Sequence, residues 1–399
     1  MSKWEMVRLG DVGVIITGNT PRKSDLKNYE TNDIPFYKPG DFIEGRISSL
    51  RKAENNISTY AKKSARILPQ GSVLVTCIGI IGKIGVIQEE SACNQQINAI
   101  IPDEIICFNR YLSYAILHIN KSLNDIANSA VVPIINKSQF SNIIIPLPPL
   151  DIQKKIAAAL DTANALIEKR KEQIEKLDLL IKSQFIEMFG DPVTNPKGWE
   201  RTPMGKYIAL LTDFSANGSY EYLDSNIVMS NEPGYALMVR TTDLEKNDFE
   251  KDVKYIDIKA YEILKKSKLF GNEIIINKIG SAGKVYIMPV IGKPASLGRN
   301  AFMIRYKSDI NIKFIYYLLV SRYGEREIQK HIRGAVTKTI TKEAVKSIQI
   351  LCPPLYLQTQ FAEFVEKVEA QKTLLQKSLA DMEQNYQSLL QKCFKGEIF

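Results

Sequence analysis

Forty consecutive residues, Leu150 to Phe189, contain neither glycine nor proline. Pro146-Leu147-Pro148-Pro149 stand before them and Gly190-Asp191-Pro192 after, the punctuation of a helix start and stop. Apolar residues recur at Ile156, Leu160, Ala163, Ile167, Ile174, Leu177, Ile181 and Met188, with Arg170 as the polar break. Steps of four and three make a coiled-coil seam. At 1.5 Å per residue the rod spans roughly 60 Å, too long for an ordinary core helix.

The stretch returns at the C-terminus, between Pro353-Pro354-Leu355 and Gly396. Adding 205 takes Ile156 to Phe361, Leu160 to Val365, Ala163 to Val368, Ile174 to Leu379, Leu177 to Met382, Ile181 to Tyr386 and Met188 to Cys393. The polar breaks are offset: Arg170 falls on Leu375 and Ile167 on Lys372. Offset polar groups fix register and discourage wrong pairings, so the two helices are expected to pair with each other.

The segments between the helices also repeat. Leu269–Val285 overlays Leu68–Ile84, matching Gly79, Gly82 and Lys83 with Gly280, Gly283 and Lys284. Asn98-Ala99 is aligned with Asn300-Ala301, Ser129-Ala130-Val131 with Gly334-Ala335-Val336, and Tyr111–His118 with Phe314–Ser321. Short strand-like runs such as Ile34–Tyr37 and Ser72–Thr76, a glycine-rich hairpin over Ile78–Val86 and a helix over Arg110–Ile119 read as α+β. The expected fold is thus two similar mixed α/β domains separated by two long helices, with boundaries at 1–149, 150–190, 191–352 and 353–399. A compact second domain that starts at the far end of one helix and ends at the start of the other requires the helices to be antiparallel. This layout is pseudo-two-fold symmetric.

A chain of 399 residues exceeds one core, and no run of 18 apolar residues occurs. The expectation is a soluble, cytoplasmic protein without a signal peptide. Five scattered cysteines, Cys77, Cys93, Cys107, Cys352 and Cys393, form no CxxC pair, and His118 and His331 are the only histidines. Reduced thiols and no metal site are expected. Gly79–Gly82-Lys83 fails the GxxxxGK[ST] spacing, and Asp252-Val253-Lys254 is a chance-level D-x-K tripeptide. No adenine-methyltransferase loop, GxSxG or HExxH is present, so no catalytic residue is assigned.

A net charge of +9 favours a polyanionic partner. Paired domains suit two half-sites on one duplex. The candidate DNA contacts are Arg22, Lys23, Lys38, Lys83, Asn94, Gln95, Gln96 and Lys137 in the first domain. In the second they are Arg240, Lys278, Lys284, Arg299, Asn300, Arg333 and Lys338. Cations position the phosphates and amides read base edges. Lys83 and Lys284 stand out because they recur at matched positions. A coiled-coil scaffold binding only proteins is the alternative, and an autonomous nuclease a third reading.

The block PLPPLDIQKKIAAALDTANALIEKRKEQIEKL, its echo CPPLYLQTQFAEFVEKVE, the opening WEMVRLGDV and the turn TGNTP together resemble the specificity subunit of type I restriction-modification systems, over essentially the whole chain. The resemblance implies two target recognition domains, each reading one half of a bipartite asymmetric DNA site, with the helices as spacer and docking surface. The implied partners are double-stranded DNA, two modification subunits carrying S-adenosylmethionine and methylating adenine N6, and two restriction subunits using ATP and Mg. No cofactor is implied on this chain itself. The second domain departs from the pattern, with Leu211-Thr212-Asp213-Phe214 where the TGNTP turn is expected. A ~60 Å rod caps the separation of half-site centres near 18 base pairs at about 3.4 Å each, and one helical turn, about 10 pairs, suits an approach from one face.

Overall fold

The structure, a computed structural model, describes residues 3–127 and 132–399. It divides into two compact units, Met1–Glu172 with Gln376–Phe399, and Gln173–Leu375. Each unit therefore takes a portion of both long helices, which span Leu150–Phe189 and Leu355–Lys395.

In unit one, β1 (Glu5–Arg8) pairs antiparallel with β11 (Ile144–Leu147), placing the first strand beside the entry to the first long helix. The main sheet runs β2 (Gly13–Thr17), β10 (Ile97–Pro102), β7 (Val73–Thr76), β8 (Ile84–Ile87), β4 (Ile47–Leu50). A smaller sheet runs β5 (Asn56–Ile57), β3 (Ile34–Tyr37), β9 (Ser91–Cys93), β6 (Ile67–Leu68). The near-continuous apolar run of β7 follows from burial on both faces. Val73 and Val75 join the core formed with Tyr111, Leu112, Ile156 and Leu160, whereas Leu74 joins Tyr37, Phe42 and Leu50 beneath the small sheet.

Unit two repeats the plan. β12 (Arg201–Pro203) pairs with β21 (Gln349–Leu351), and a main sheet runs β13 (Ile208–Asp213), β20 (Ala301–Tyr306), β17 (Ile274–Asn277), β18 (Val285–Ile287). Its small sheet runs β15 (Tyr255–Ile256), β14 (Ala236–Val239), β19 (Ala295–Leu297), β16 (Lys268–Leu269). The strand directions match those of unit one: antiparallel, parallel, antiparallel. Ile274 and Ile276 face the core with Phe314 and Phe361, and Ile275 faces the other way.

The ladders correct one alignment. Ile97 pairs with Thr76 and Ala301 with Asn277, so Ile97 corresponds to Ala301 and Asn98 to Phe302, not to Asn300. Two shared letters mean less than a hydrogen-bonded register, because a one-residue slip would turn every side chain to the opposite face. The glycine-rich hairpin is present in both units. Gly82 and Gly283 have φ of 82° and 84°, and a Cβ would meet Asn120 Oδ1 at 1.7 Å in one and Ile328 at 2.5 Å in the other. Close approach and left-handed backbone together demand glycine at both.

The helices run antiparallel within each unit. In unit one, Ile156 and Leu160 pack with Leu390, Cys393 and Phe394, and Lys171 meets Glu383 at 3.1 Å. In unit two, Phe185 and Phe189 pack edge-on against Phe361 at 5.3 and 5.6 Å between ring centres. There Lys372, the offset polar break, donates to both oxygens of Asp178 at 2.6 and 2.7 Å. Of the expected seam, Ile156, Leu160, Ile167, Ile181, Phe361, Val365 and Val368 are buried. Ala163, Ile174, Leu177, Leu375, Leu379, Met382 and Tyr386 are half-buried, since a helix pair alone covers one side of each side chain.

Periodicity did not disclose Gln153 and Gln358, 205 residues apart and almost fully buried. Gln153 Nε2 donates to the carbonyls of Ile106 and Pro148, and its Oε1 accepts from Phe108 N, each at 2.8 Å. Gln358 donates to Pro353 O at 2.7 Å and accepts from Asn311 N at 2.8 Å. Each amide fastens the start of a long helix to the loop before an earlier helix of its unit, Asn109–His118 in one and Ile312–Leu319 in the other. Among the described residues no helix is long and apolar enough to cross a membrane, and the five cysteines are free thiols.

Candidate nucleic-acid interface

The same backbone stitch recurs at one corner of each unit. In unit one Cys77 N donates to Gln96 O (2.8 Å), Ile135 N to Cys77 O (2.9 Å) and Gly79 N to Pro133 O (3.0 Å). In unit two Lys278 N donates to Asn300 O (2.8 Å), Ile340 N to Lys278 O (3.1 Å) and Gly280 N to Lys338 O (3.2 Å). Three segments distant in sequence are thereby gathered: the glycine hairpin, the turn into β10 or β20, and the loop before the next short helix. The stitch places Gln95 and Gln96 where unit two has Arg299 and Asn300. The framework is backbone, so the side chains it carries are free to differ.

Unit one adds a cleft of about 810 Å³ lined by Thr20, Lys23, Tyr29, Lys38, Asn55 and Gln95 among others. It brings together three of the candidates, Lys23, Lys38 and Gln95. Lys38 Nζ donates to Asn55 Oδ1 at 2.7 Å, and Thr20 Oγ1 donates to Gln95 Oε1 at 2.8 Å. Arg22, Lys23 and Lys137 are exposed. Gln96 is half-buried beside Asn94, and Asn94 is a turn residue: buried, it donates to Gln96 Oε1 and accepts from Gln96 N. Its amide is consumed locally, which corrects its reading as a base contact.

The recurrence of Lys83 and Lys284 has a structural cause. Lys83 Nζ donates to the carbonyls of Pro39 (3.4 Å) and Phe42 (3.3 Å), in the connection from β3 to β5. Lys284 pairs with Glu245, in the helix Thr241–Lys246 that occupies the corresponding connection from β14 to β15. Both ammonium groups hold the small-sheet connection against the hairpin.

In unit two most candidate cations are paired. The Arg240 guanidinium donates to both oxygens of Asp243 (2.7 and 3.1 Å), which raises its already high pKa, and also to Asp252 O. Arg299 pairs with Asp224 and lies 5.0 Å over the Phe214 ring. Lys278 is 9% exposed and donates to Asp213 at 2.8 Å; Lys342 donates to the other oxygen at 2.8 Å and Ser215 Oγ completes the set at 2.6 Å. Burial alone would raise the Asp213 carboxyl, but these three donors outweigh it and hold the group at about 2. Lys278 is thus an internal ion-pair partner, a correction to its assignment as a surface contact. Asn300 is exposed, as are Arg333 and Lys338 on a hairpin closed by mutual hydrogen bonds between Arg333 and Thr339 (2.9 and 2.8 Å). Its unit-one counterpart, the loop around Ser129-Ala130-Val131, lies outside the described residues.

Sequence reasoning missed Asn55, whose link to Lys38 spans 17 positions with no local signal. It also missed Tyr60, an exposed ring with Lys27 and Lys63 at 5.7 and 4.7 Å. Lys342 was within reach, because adding 205 to Lys137 lands on it. Among the described residues no group of His, Cys, Asp and Glu could hold a metal.

Comparison with known proteins matches both units to one family model, described as the type I restriction modification DNA specificity domain, over residues 1–176 and 204–384. The type I restriction enzyme MjaIX specificity subunit of Methanocaldococcus jannaschii is 26% identical across 99% of this chain and 93% of its own length. The HindI specificity subunit of Haemophilus influenzae is 34% identical over 44% of this chain and 39% of its own. In fold, the chain is similar to a structure from work on complex assembly and conformational transition of the type I R-M system, with TM-score 0.59, 16% identity and 99% and 98% of the two chains covered. It is also similar to the type I restriction-modification S subunit from M. genitalium, with TM-score 0.56, 14% identity and 98% and 96% covered. With the family model matched in each unit and specificity subunits among its full-length relatives, this chain belongs to the family of type I restriction-modification specificity subunits.

Proposed function

We propose that each unit reads one half of a bipartite, asymmetric DNA site, while the long helices set the spacing and dock two modification subunits. The observation that carries this reading is the stitched corner: one backbone frame, used twice, presenting Gln95 and Gln96 in one copy and Arg299 and Asn300 in the other. Duplicated frame with divergent polar side chains suits two different half-sites. Docking is supported by Leu179, Leu180, Ile186 and Leu374, exposed on the helices of unit two. Apolar side chains left on a helix surface suit partner helices.

On this reading the chain binds no cofactor and performs no chemistry. S-adenosylmethionine belongs to the modification subunits, which methylate adenine N6, and ATP and Mg to two restriction subunits that join them. The test is methylation-sensitive sequencing of cells expressing this chain with its modification subunit. A two-part motif is expected, with one part replaced when 1–149 is exchanged for another such domain. Removing one heptad from both helices should shorten the unspecified spacer and leave both parts intact. Methylation independent of this chain, or DNA affinity that does not fall with rising salt, would favour a scaffold that binds only proteins.

A further inference from the structure

We infer that the unit-one cleft is a hydrogen-bond donor surface that selects a guanine edge, and that Lys38 enforces this by fixing the Asn55 amide. The inference rests on the proposed DNA reading and adds what the first half-site must contain. An ammonium can only donate, so the 2.7 Å contact from Lys38 Nζ assigns the near atom of Asn55 as its oxygen. Thr20 Oγ1 likewise donates to Gln95 Oε1 at 2.8 Å. Both amides line one cleft, and both have their acceptor ends engaged by protein donors. What each then offers a ligand is its NH2 end, beside the ammonium groups of Lys23 and Lys38.

An unconstrained asparagine or glutamine pairs two-fold with adenine, accepting from N6 and donating to N7. With the oxygen turned to Lys38, adenine N6 would have to share that acceptor with an ammonium whose charge opposes a second N–H donor, so the two-fold pairing is weakened. Guanine presents two acceptors, O6 and N7, in the major groove, and matches the NH2 and ammonium donors of Asn55, Gln95, Lys23 and Lys38. Glu54, exposed on the same lining, is the acid acceptor of the set, and cytosine N4 is the donor on the same base pair. The two residues that decide the preference, Lys38 and Asn55, thus act as a unit: Asn55 reads, and Lys38 disfavours the alternative reading.

Methylation-sensitive sequencing of the assembled complex with Lys38→Met tests this. Loss of the ammonium frees the Asn55 oxygen, so one guanine position in one half of the motif should relax to guanine or adenine, with discrimination falling about tenfold or more. Asn55→Asp should move the same position towards a donor-bearing base. The other half of the motif, unchanged, shows that the chain still folds and assembles. Should a variant abolish methylation altogether, binding of the wild-type complex to duplexes carrying 7-deazaguanine gives the answer independently. At the position concerned, loss of N7 should weaken binding about tenfold. The inference is overturned if both variants leave both halves unaltered, if the affected position is not guanine, or if no guanine of that half responds to the deaza substitution. A wild-type complex without sequence-dependent methylation would instead overturn the DNA reading beneath it.

Discussion

The two units share a frame but handle positive charge differently. Of the unit-one candidates, the five cations Arg22, Lys23, Lys38, Lys83 and Lys137 have no carboxylate partner among the described residues; Lys38 and Lys83 rest on neutral oxygens. In unit two, Arg240, Lys278, Lys284 and Arg299 each face a carboxylate. An ammonium held by a carbonyl keeps its charge for a ligand, whereas one held by a carboxylate is largely neutralised. Among the candidate cations, unit one thus leaves all five without a carboxylate, whereas unit two spends four on its own architecture and leaves Arg333 and Lys338 exposed with no carboxylate partner among the described residues.

The sharpest contrast lies at the end of the first main-sheet strand. Thr17 in unit one and Asp213 in unit two are equivalent by register, facing Asn98 and Phe302 respectively. Thr17 Oγ1 donates to Asn98 Oδ1 at 2.7 Å, a neutral bond. Asp213 instead anchors Lys278 and Lys342. Asp213→Ala strands the buried Lys278 ammonium, and breaking a buried pair costs about 3–5 kcal/mol. Thr17→Val should cost only about 1 kcal/mol. Denaturant unfolding of both variants, with hydrogen exchange at β13 and β2 to localise the loss, should show this ranking. Equal effects would mean that the ionic junction contributes no more than the neutral one.

The same junction gives the next effect, in pH. Asp213 titrates at about 2 when folded against an ordinary value of 3.8. A depressed carboxyl stabilises the fold above its unfolded pKa, and that contribution is lost as pH falls from about 4 to about 2. It amounts to about 2 kcal/mol. Acid unfolding should therefore loosen β13 over this window, and Asp213→Asn should remove that part of the pH dependence. The Thr17–Asn98 bond carries no such term, so exchange at β2 should not follow it.

Much of this architecture is legible in sequence because it is periodic. Heptads, the proline and glycine boundaries and the matched hairpin glycines report backbone constraints that act locally. The charge arrangement is not legible. The partner of Lys278 is Asp213, 65 positions earlier, at a place where the other repeat has threonine; nothing near either residue signals the pair. The misaligned Asn98 and Asn300 show the same limit, since β20 takes its register from β17 rather than from its own letters. Lys83 and Lys284 show the converse: recurrence was real, but its cause is a structural clamp.

The clamp lysines give the smallest and most discriminating comparison. Both hold the small-sheet connection, and neither should matter greatly for stability: the Lys284–Glu245 pair is half-exposed, in a class worth about 0–1 kcal/mol. On DNA they should separate. Lys83→Met removes a charge that no carboxylate compensates, so the slope of log affinity against log salt should shrink by up to about 0.9. Lys284→Met removes a charge that Glu245 already balances and leaves that carboxylate exposed, so affinity should fall slightly at low salt with little loss of slope. Binding titrations of the assembled complex across a salt series measure both. Equal slopes for the two variants would show that the partner oxygen, carbonyl or carboxylate, does not govern how much charge a clamp lysine presents. The contrast between the units would then reside in their exposed side chains alone.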